Sequence, residues 1–350
     1  MAGFYSEDNY ERSIIDLFMG LGYRHVYGPD IERDFASPFY EEELQASLYR
    51  LNPTMPEEAI HNALFKLKNF ENAELVQKNE VFMDYIQHGI EVHYLVKNEE
   101  RSGLVYLVDY ENIRNNSFVA ANQWTFIENS KKRPDILLFL NGLPIVLMEL
   151  KSPSREETDV NEAYLQIRNY MKEIPTLFIF NCICVISDQA TTKAGTITSG
   201  LDRFMAWKTK DGSYENTKFA QYETFFEGIF ERERLLDIIK NFICFSNEGL
   251  KKTKILAGYH QYFAVKKAIV STHNEPLRRM EKVASSGIRR VVANPCLWFS
   301  MHIFCSKLWT ARPLWSSQTE MTWMINSSDN LLSVKIFCVR IRCTPRAGNI

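Results

Sequence analysis

Arg133-Pro134-Asp135-Ile136-Leu137-Leu138-Phe139-Leu140-Asn141-Gly142-Leu143-Pro144-Ile145-Val146-Leu147-Met148-Glu149-Leu150-Lys151 is the stretch that decides how this chain folds. Asn-Gly between two apolar runs is a hairpin signal. With Asn141-Gly142-Leu143 as the loop, Leu140 pairs with Pro144, and counting outward sets Asp135 opposite Glu149. Side chains repeat every two residues along a strand, so Glu149 and Lys151 share one face and Leu150 takes the other. The runs are apolar without alternation, as in strands buried on both faces. Charges in such a sheet are costly unless they serve each other or a metal. Taken singly these residues are ordinary, since Glu-x-Lys occurs on many exposed strands and Pro-Asp opens many turns. Together, two carboxylates and a lysine can hold a divalent cation beside a phosphodiester and stabilise the charge that builds up on cleavage.

A helix follows. Thr158 or Asp159 can cap it, and Val160, Ala163, Ile167, Tyr170, Met171 and Ile174 recur at helical spacing. Gln166 and Tyr170 lie one turn apart on it. Alone, the first reads as a solvated helix residue and the second as a core aromatic.

Together these residues resemble the PD-(D/E)xK nuclease fold, in its RecB-type branch with a Gln-x-x-x-Tyr helix. The resemblance extends to Asn116 through Phe126, Asn141 to Pro144, Ser187-Asp188-Gln189, Gly195-Thr196, and Arg203 through Thr209. Over about residues 1–280 the chain is similar to the restriction (endonuclease and motor) subunit of type I restriction-modification enzymes. The resemblance implies an α/β protein with a PD-(D/E)xK restriction-endonuclease-like core, a mixed sheet flanked by helices. It implies that Asp135 and Glu149 bind Mg²⁺, hard oxygens for a hard cation. Lys151 would orient water or neutralise the phosphate, and Gln166 and Tyr170 would position the site and the DNA backbone. Glu11 falls where such nucleases often carry an acidic residue on the first helix; a solvated first-turn glutamate, favourable to the helix dipole, is the alternative. In Tyr259-His260-Gln261-Tyr262 the chain resembles the entry to the family's helicase-like motor, where Gln261 would contact the adenine of ATP. A plain helix residue is the alternative there.

Composition narrows the rest. The 350 residues include 41 basic and 43 acidic side chains, so any DNA-binding surface must be a local patch, for which Lys131-Lys132-Arg133 is the best small candidate. No signal peptide or transmembrane run is visible, Cys182, Cys184 and Cys244 are isolated, and no metal-ligand spacing of Cys and His appears. The expectation is a reduced, cytoplasmic protein with no membrane partner. Helices are expected over 10–20, over 40–69 with a break at Asn52-Pro53, and over 232–245. Residues 90–126 read as strand-like, and Leu177–Phe180 with Ile183–Ile186 as a further apolar strand segment. Residues 1–245 form the nuclease domain in this reading, and 246–282 the start of the motor.

Beyond Lys282 the character changes. Four of six Trp and four of seven Cys lie there, and amphipathic periodicity stops. The family's phosphate-binding Gly-x-Gly-Lys-Ser loop is absent. Residues 282–295 can be encoded so that skipping two bases yields Ser-Gly-Val-Phe-Trp-His-Thr-Ala-Gly-Ser-Gly-Lys-Ser, the missing loop. Residues 283–350 are therefore read as an out-of-frame tail, poorly ordered, because apolar residues without a period cannot form a specific core. ATP, used by the full-length family enzyme, is not expected to be used by this chain. The leading expectation is Mg²⁺-dependent cleavage of double-stranded DNA beside methyltransferase and specificity subunits. A non-catalytic relic that only binds DNA or those subunits is the alternative.

Overall fold

Asn141 (φ 51°) and Gly142 (φ 80°) both occupy the left-handed region, which a two-residue hairpin turn of the primed type requires. The computed structural model describes residues 7–151, 160–188, 190–213, 222–247 and 251–274. The Thr158/Asp159 cap and the whole of 283–350 fall outside them. In chain order the elements are α1 (Glu7–Gly20), β1 (Arg24–Tyr27), α2 (Glu41–Leu51), α3 (Glu57–Lys68), α4 (Leu75–His88), β2 (Ile90–Val96), β3 (Glu99–Val105), β4 (Phe118–Asn122), β5 (Phe126–Ile127), β6 (Lys131–Lys132), β7 (Ile136–Leu140) and β8 (Leu143–Leu150). They continue with α5 (Val160–Glu173), α6 (Pro175–Ile179), β9 (Ile183–Ser187), β10 (Thr192–Gly195), α7 (Tyr222–Phe230), α8 (Arg232–Asn241), β11 (Ile243–Ser246), β12 (Thr253–Leu256) and α9 (Tyr259–Asn274).

The turn is one residue shorter than the loop expected from sequence, and a bulge makes up the difference. Leu140 faces Leu143 and Phe139 faces Pro144, but Leu138 faces Val146. Ile145 is the extra residue. Pro144, which has no N–H to give the ladder, sits beside it, where a strand tolerates proline. After the bulge Ile136 faces Met148, and the next step outward sets Asp135 beside Glu149. Gly142 is also required sterically: a Cβ there would lie 2.4 Å from the backbone nitrogen of Leu44 in α2.

Among the described residues the main sheet has the order β1-β4-β7-β8-β9-β10. β1 runs parallel to β4 and β8 to β9, and the other pairs are antiparallel. This is a mixed sheet flanked by helices. Every residue of β7, β8 and β9 is buried. Ile136, Leu138, Met148, Leu150 and Val185 share a core with Ile14 and Phe18 of α1 and Leu236 of α8. Leu137, Phe139, Leu147, Cys184 and Ile186 pack with Ala163, Ile167 and Tyr170 of α5 on the other face.

Several expectations need correction. Leu177–Phe180 is mostly helix, because Pro175 at the first helical position starts a turn that strand pairing would have to break. The helix expected over 232–245 stops at Asn241, and Ile243–Ser246 pairs with Thr253–Leu256 instead. Within 90–126 the strands split: β2 and β3 form their own ribbon and β4 joins the main sheet. A boundary at 245/246 cuts through β11, and Leu256, Ala257, Tyr262 and Val265 belong to the same core as α1. Cys182 and Cys184 are free and buried, and Cys244 is only partly buried. No helix among the described residues is long and apolar enough to cross a membrane.

Lys254 fastens the β11–β12 hairpin to the sheet. It is 2% exposed and donates to the carbonyl of Asn181 at 2.7 Å, which also accepts from Asn79 of α4 at 2.9 Å. Burial pushes its ammonium down from 10.5 to about 8. The unfolded chain therefore holds more protons than the native one between those values. Lys254's contribution to stability rises with pH across that window and is least favourable below it. Lys254→Met removes the desolvated charge and should stabilise the protein by about 1–3 kcal/mol at pH 7 in urea unfolding. That advantage should shrink between pH 8 and 10; an advantage constant with pH would show that the lysine bears no desolvation cost.

Candidate active site

Strand alternation delivers the first three groups. Leu137 and Leu147 point to the side covered by α5. Asp135 and Glu149 lie two residues outward from each, and Lys151 two beyond Glu149, so all three belong to that face. The N–H of Leu150 donates to Asp135 Oδ2 at 2.7 Å, turning the carboxylate towards β8. Lys151 Nζ donates to Glu149 Oε1 at 2.6 Å, and its backbone N–H is held by the Ser187 carbonyl at 2.8 Å. Glu149 is 3% exposed. A carboxylate that deep requires a charged or hydrogen-bonding partner, and Lys151 provides the charge.

α5 supplies the neutral partners. The Tyr170 hydroxyl lies near the side chains of Gln166, Glu149 and Asp135. Burial, reinforced by the negative charge of Glu149 and Asp135, pushes its pKa far above the usual phenol range. The hydroxyl therefore stays protonated beside Glu149. The structure thus brings together Asp135, Glu149, Lys151, Gln166 and Tyr170.

Glu11 approaches the same end of the sheet on α1. It is not the solvated glutamate of the alternative reading, being 7% exposed. Its Oε1 accepts from Asn122 Nδ2 at 2.6 Å and its Oε2 from Gln123 Nε2 at 2.8 Å. Asn122 Oδ1 lies 2.9 Å from His25 Nε2. The neighbouring Tyr10 hydroxyl meets Ser187 Oγ at 2.6 Å, which meets Thr192 Oγ1 at 2.7 Å. Burial pushes the Tyr10 phenol up to about 12. None of Asn122, Gln123, Tyr10 or Ser187 was given a role from sequence; the available signal was a pair of amides ending an apolar strand. Gln261 is placed apart from this group, at the start of α9. Its Oε1 accepts the backbone N–H of Gly258 at 2.8 Å, half of a capping box.

The donor set suits a hard cation. Among the described residues no group of three or more His, Cys, Asp or Glu side chains could hold a metal. A cation here would take two carboxylates, from Asp135 and Glu149, and draw its remaining oxygens from water and phosphate. That is the habit of Mg²⁺, which keeps several waters and needs only one or two protein carboxylates.

Residues 4–203 match the family model for the type I restriction enzyme R protein N terminus. The chain belongs to this family. The matched span holds Glu11, the β7–β8 hairpin, α5 and β9, and excludes Gln261. Relatives agree. The type I restriction enzyme HindI endonuclease subunit of Haemophilus influenzae is 32% identical over 281 residues, 76% of this chain and 27% of the relative. The EcoprrI endonuclease subunit of Escherichia coli is 26% identical over 244 residues, 62% of this chain and 74% of the relative. The chain therefore spans about a quarter of the Haemophilus protein's length. In this R-protein N-terminal region, the buried ion pair and its tyrosine form the polar centre of an otherwise apolar sheet.

Tyr170→Phe keeps the ring and removes only the hydroxyl beside Gln166 and Glu149. Taking a polar neighbour from a buried carboxylate should cost about 1–3 kcal/mol in urea unfolding. A loss below about 0.5 kcal/mol would show that the hydroxyl does not bear on Glu149.

Proposed function

We propose that this chain is a nuclease of the type I restriction R-subunit kind, cleaving phosphodiesters of double-stranded DNA with Mg²⁺. The observation that carries this reading is the convergence of Asp135, Glu149 and Lys151 on one face at one end of the sheet, inside the family-matched span. Asp135 and Glu149 would hold the cation, which when bound supplies Lewis-acid stabilisation of a phosphoryl oxygen. Lys151, fixed against Glu149, is placed to orient the attacking water and to offset the negative charge that grows on the phosphate. Tyr170 and Gln166 keep the Glu149 carboxylate in one orientation. Water attacks phosphorus, the bond to the leaving sugar oxygen breaks, and that oxygen takes up a proton. Assembly with methyltransferase and specificity subunits, ATP use, and adenine recognition through Gln261 belong to the complete family enzyme in this proposal. A frame change near Lys282 would remove the phosphate-binding loop, leaving cleavage by this chain uncoupled from ATP.

The test is nicking of supercoiled DNA in Mg²⁺ and in chelator. Asp135→Ala and Lys151→Ala should each lower the rate on the order of a hundredfold or more at a temperature where the variants remain folded, and Lys151→Ala, which leaves the buried Glu149 charge uncompensated, should also unfold more readily than the wild type. Full activity in chelator, or in Lys151→Ala, would assign the chemistry elsewhere. DNA binding by a wild-type chain that never cleaves would replace the nuclease with a binding-only relic.

A further inference from the structure

Gln123 touches both acidic positions at the end of the sheet. Its backbone N–H donates to the carbonyl of Asp135 at 3.2 Å, extending the β4–β7 ladder one step past Asn122 and Ile136. Its side-chain Nε2 donates to Glu11 Oε2 at 2.8 Å. To do both it adopts φ 55°, a left-handed conformation uncommon outside glycine. The surroundings hold it there. A Cβ on Gly28 would lie 2.8 Å from the Gln123 carbonyl oxygen and 2.8 Å from Trp124 Cα, so the chain leaving β1 closes directly over this turn. Trp124 is itself fully buried, beneath the Arg33 guanidinium at 3.8 Å. A strained backbone retained at such a junction points to a role beyond packing.

We propose that Gln123 is a positioning residue of the metal site. Through its side chain it ties α1 to the sheet at Glu11, and through its backbone it sets the Asp135 end of the hairpin. The Asp135 carboxylate is thereby held in place relative to Glu149. Glu11 is the anchor of this tie, its two oxygens taken by the amides of Asn122 and Gln123. The inference rests on the nuclease reading above, because it assigns Gln123 an effect on metal binding at Asp135 and Glu149.

The experiment is calorimetric titration of the 350-residue chain with Ca²⁺, together with the Mg²⁺ concentration giving half-maximal DNA nicking. Gln123→Gly accepts the positive φ and keeps the N–H, so only the amide is lost. Ca²⁺ affinity should fall about 10-fold and the Mg²⁺ requirement rise by about the same factor, as when an outer partner of a metal ligand is removed. The rate at saturating Mg²⁺ should stay within about threefold of wild type, which general destabilisation would not produce. The double variant Glu11→Gln/Gln123→Glu exchanges donor and acceptor and should recover Ca²⁺ affinity to within about threefold, while Glu11→Gln alone stays impaired. Unchanged Ca²⁺ affinity in Gln123→Gly, with wild type binding normally, overturns the inference alone. A double variant no better than Glu11→Gln overturns the anchor role, and decides the matter if Gln123→Gly unfolds. A wild-type chain that binds no Ca²⁺ overturns the nuclease reading and this inference with it.

Discussion

A carboxylate buried inside a sheet that is covered on both faces cannot be left to solvent. Glu149 is in that position, and much of the local structure follows from compensating it. Lys151 gives the opposite charge from the same strand. Tyr170 gives a hydroxyl that cannot ionise, because burial and two nearby carboxylates hold its proton. Gln166 lies beside that hydroxyl, one helical turn back on α5. Each of these works only if the hairpin register is right, since a shift of one residue would send Glu149 to the α1 face, away from Tyr170. The two-residue turn and the Ile145 bulge are thus part of the site as much as the charged residues are.

That register was readable in the sequence at its far end and not at its near end. Counting from a three-residue loop places Asp135 opposite Glu149. The structure reaches the same pairing through a shorter turn plus one bulged residue. The two differences cancel because both count a single residue, and Pro144 beside Ile145 was the sign that the ladder would be interrupted there. α5 was legible because its apolar positions repeat cleanly and its helix is long. α6 was not, because the four apolar residues Leu177 to Phe180 carry no period; only Pro175 told helix from strand. β11 was taken for the end of a helix since Ile243, Cys244 and Phe245 extend the apolar character of α8, and their partner strand lies beyond a break. β1 is four residues with one buried side chain, too little for any pattern.

The environment of Glu11 was hidden for a different reason. Its type and helical position were visible, but its partners lie 111 and 112 residues away. Neither propensity nor spacing encodes which end of which strand a helix will meet. What the sequence did carry was Asn122-Gln123 closing Val119-Ala120-Ala121, two amides where an apolar strand stops. Buried carboxylates are satisfied by such donors. Polar residues at the ends of buried strands are therefore worth reading as partners for acids elsewhere in the chain.

The same reasoning applies where the nuclease unit was thought to end. Cutting at residue 245 would strip β11 of β12, just after which the Ala257 N–H donates to the Phe242 carbonyl at 3.0 Å. It would also uncover Trp207, which packs among the rings of Tyr259, Tyr262 and Phe263. Lys254 would be lost from the Asn181 carbonyl, at the turn that leads into β9, whose Ile186 pairs with Glu149. Thr196 and Thr198 would lose the Lys254 carbonyl to which their hydroxyls donate. A segment whose apolar residues and single buried ammonium are all spent on the sheet is part of that sheet's core. Residues 251–265 are thus held to the turn before β9 and to the loop after β10 by hydrogen bonds as well as by chain connectivity.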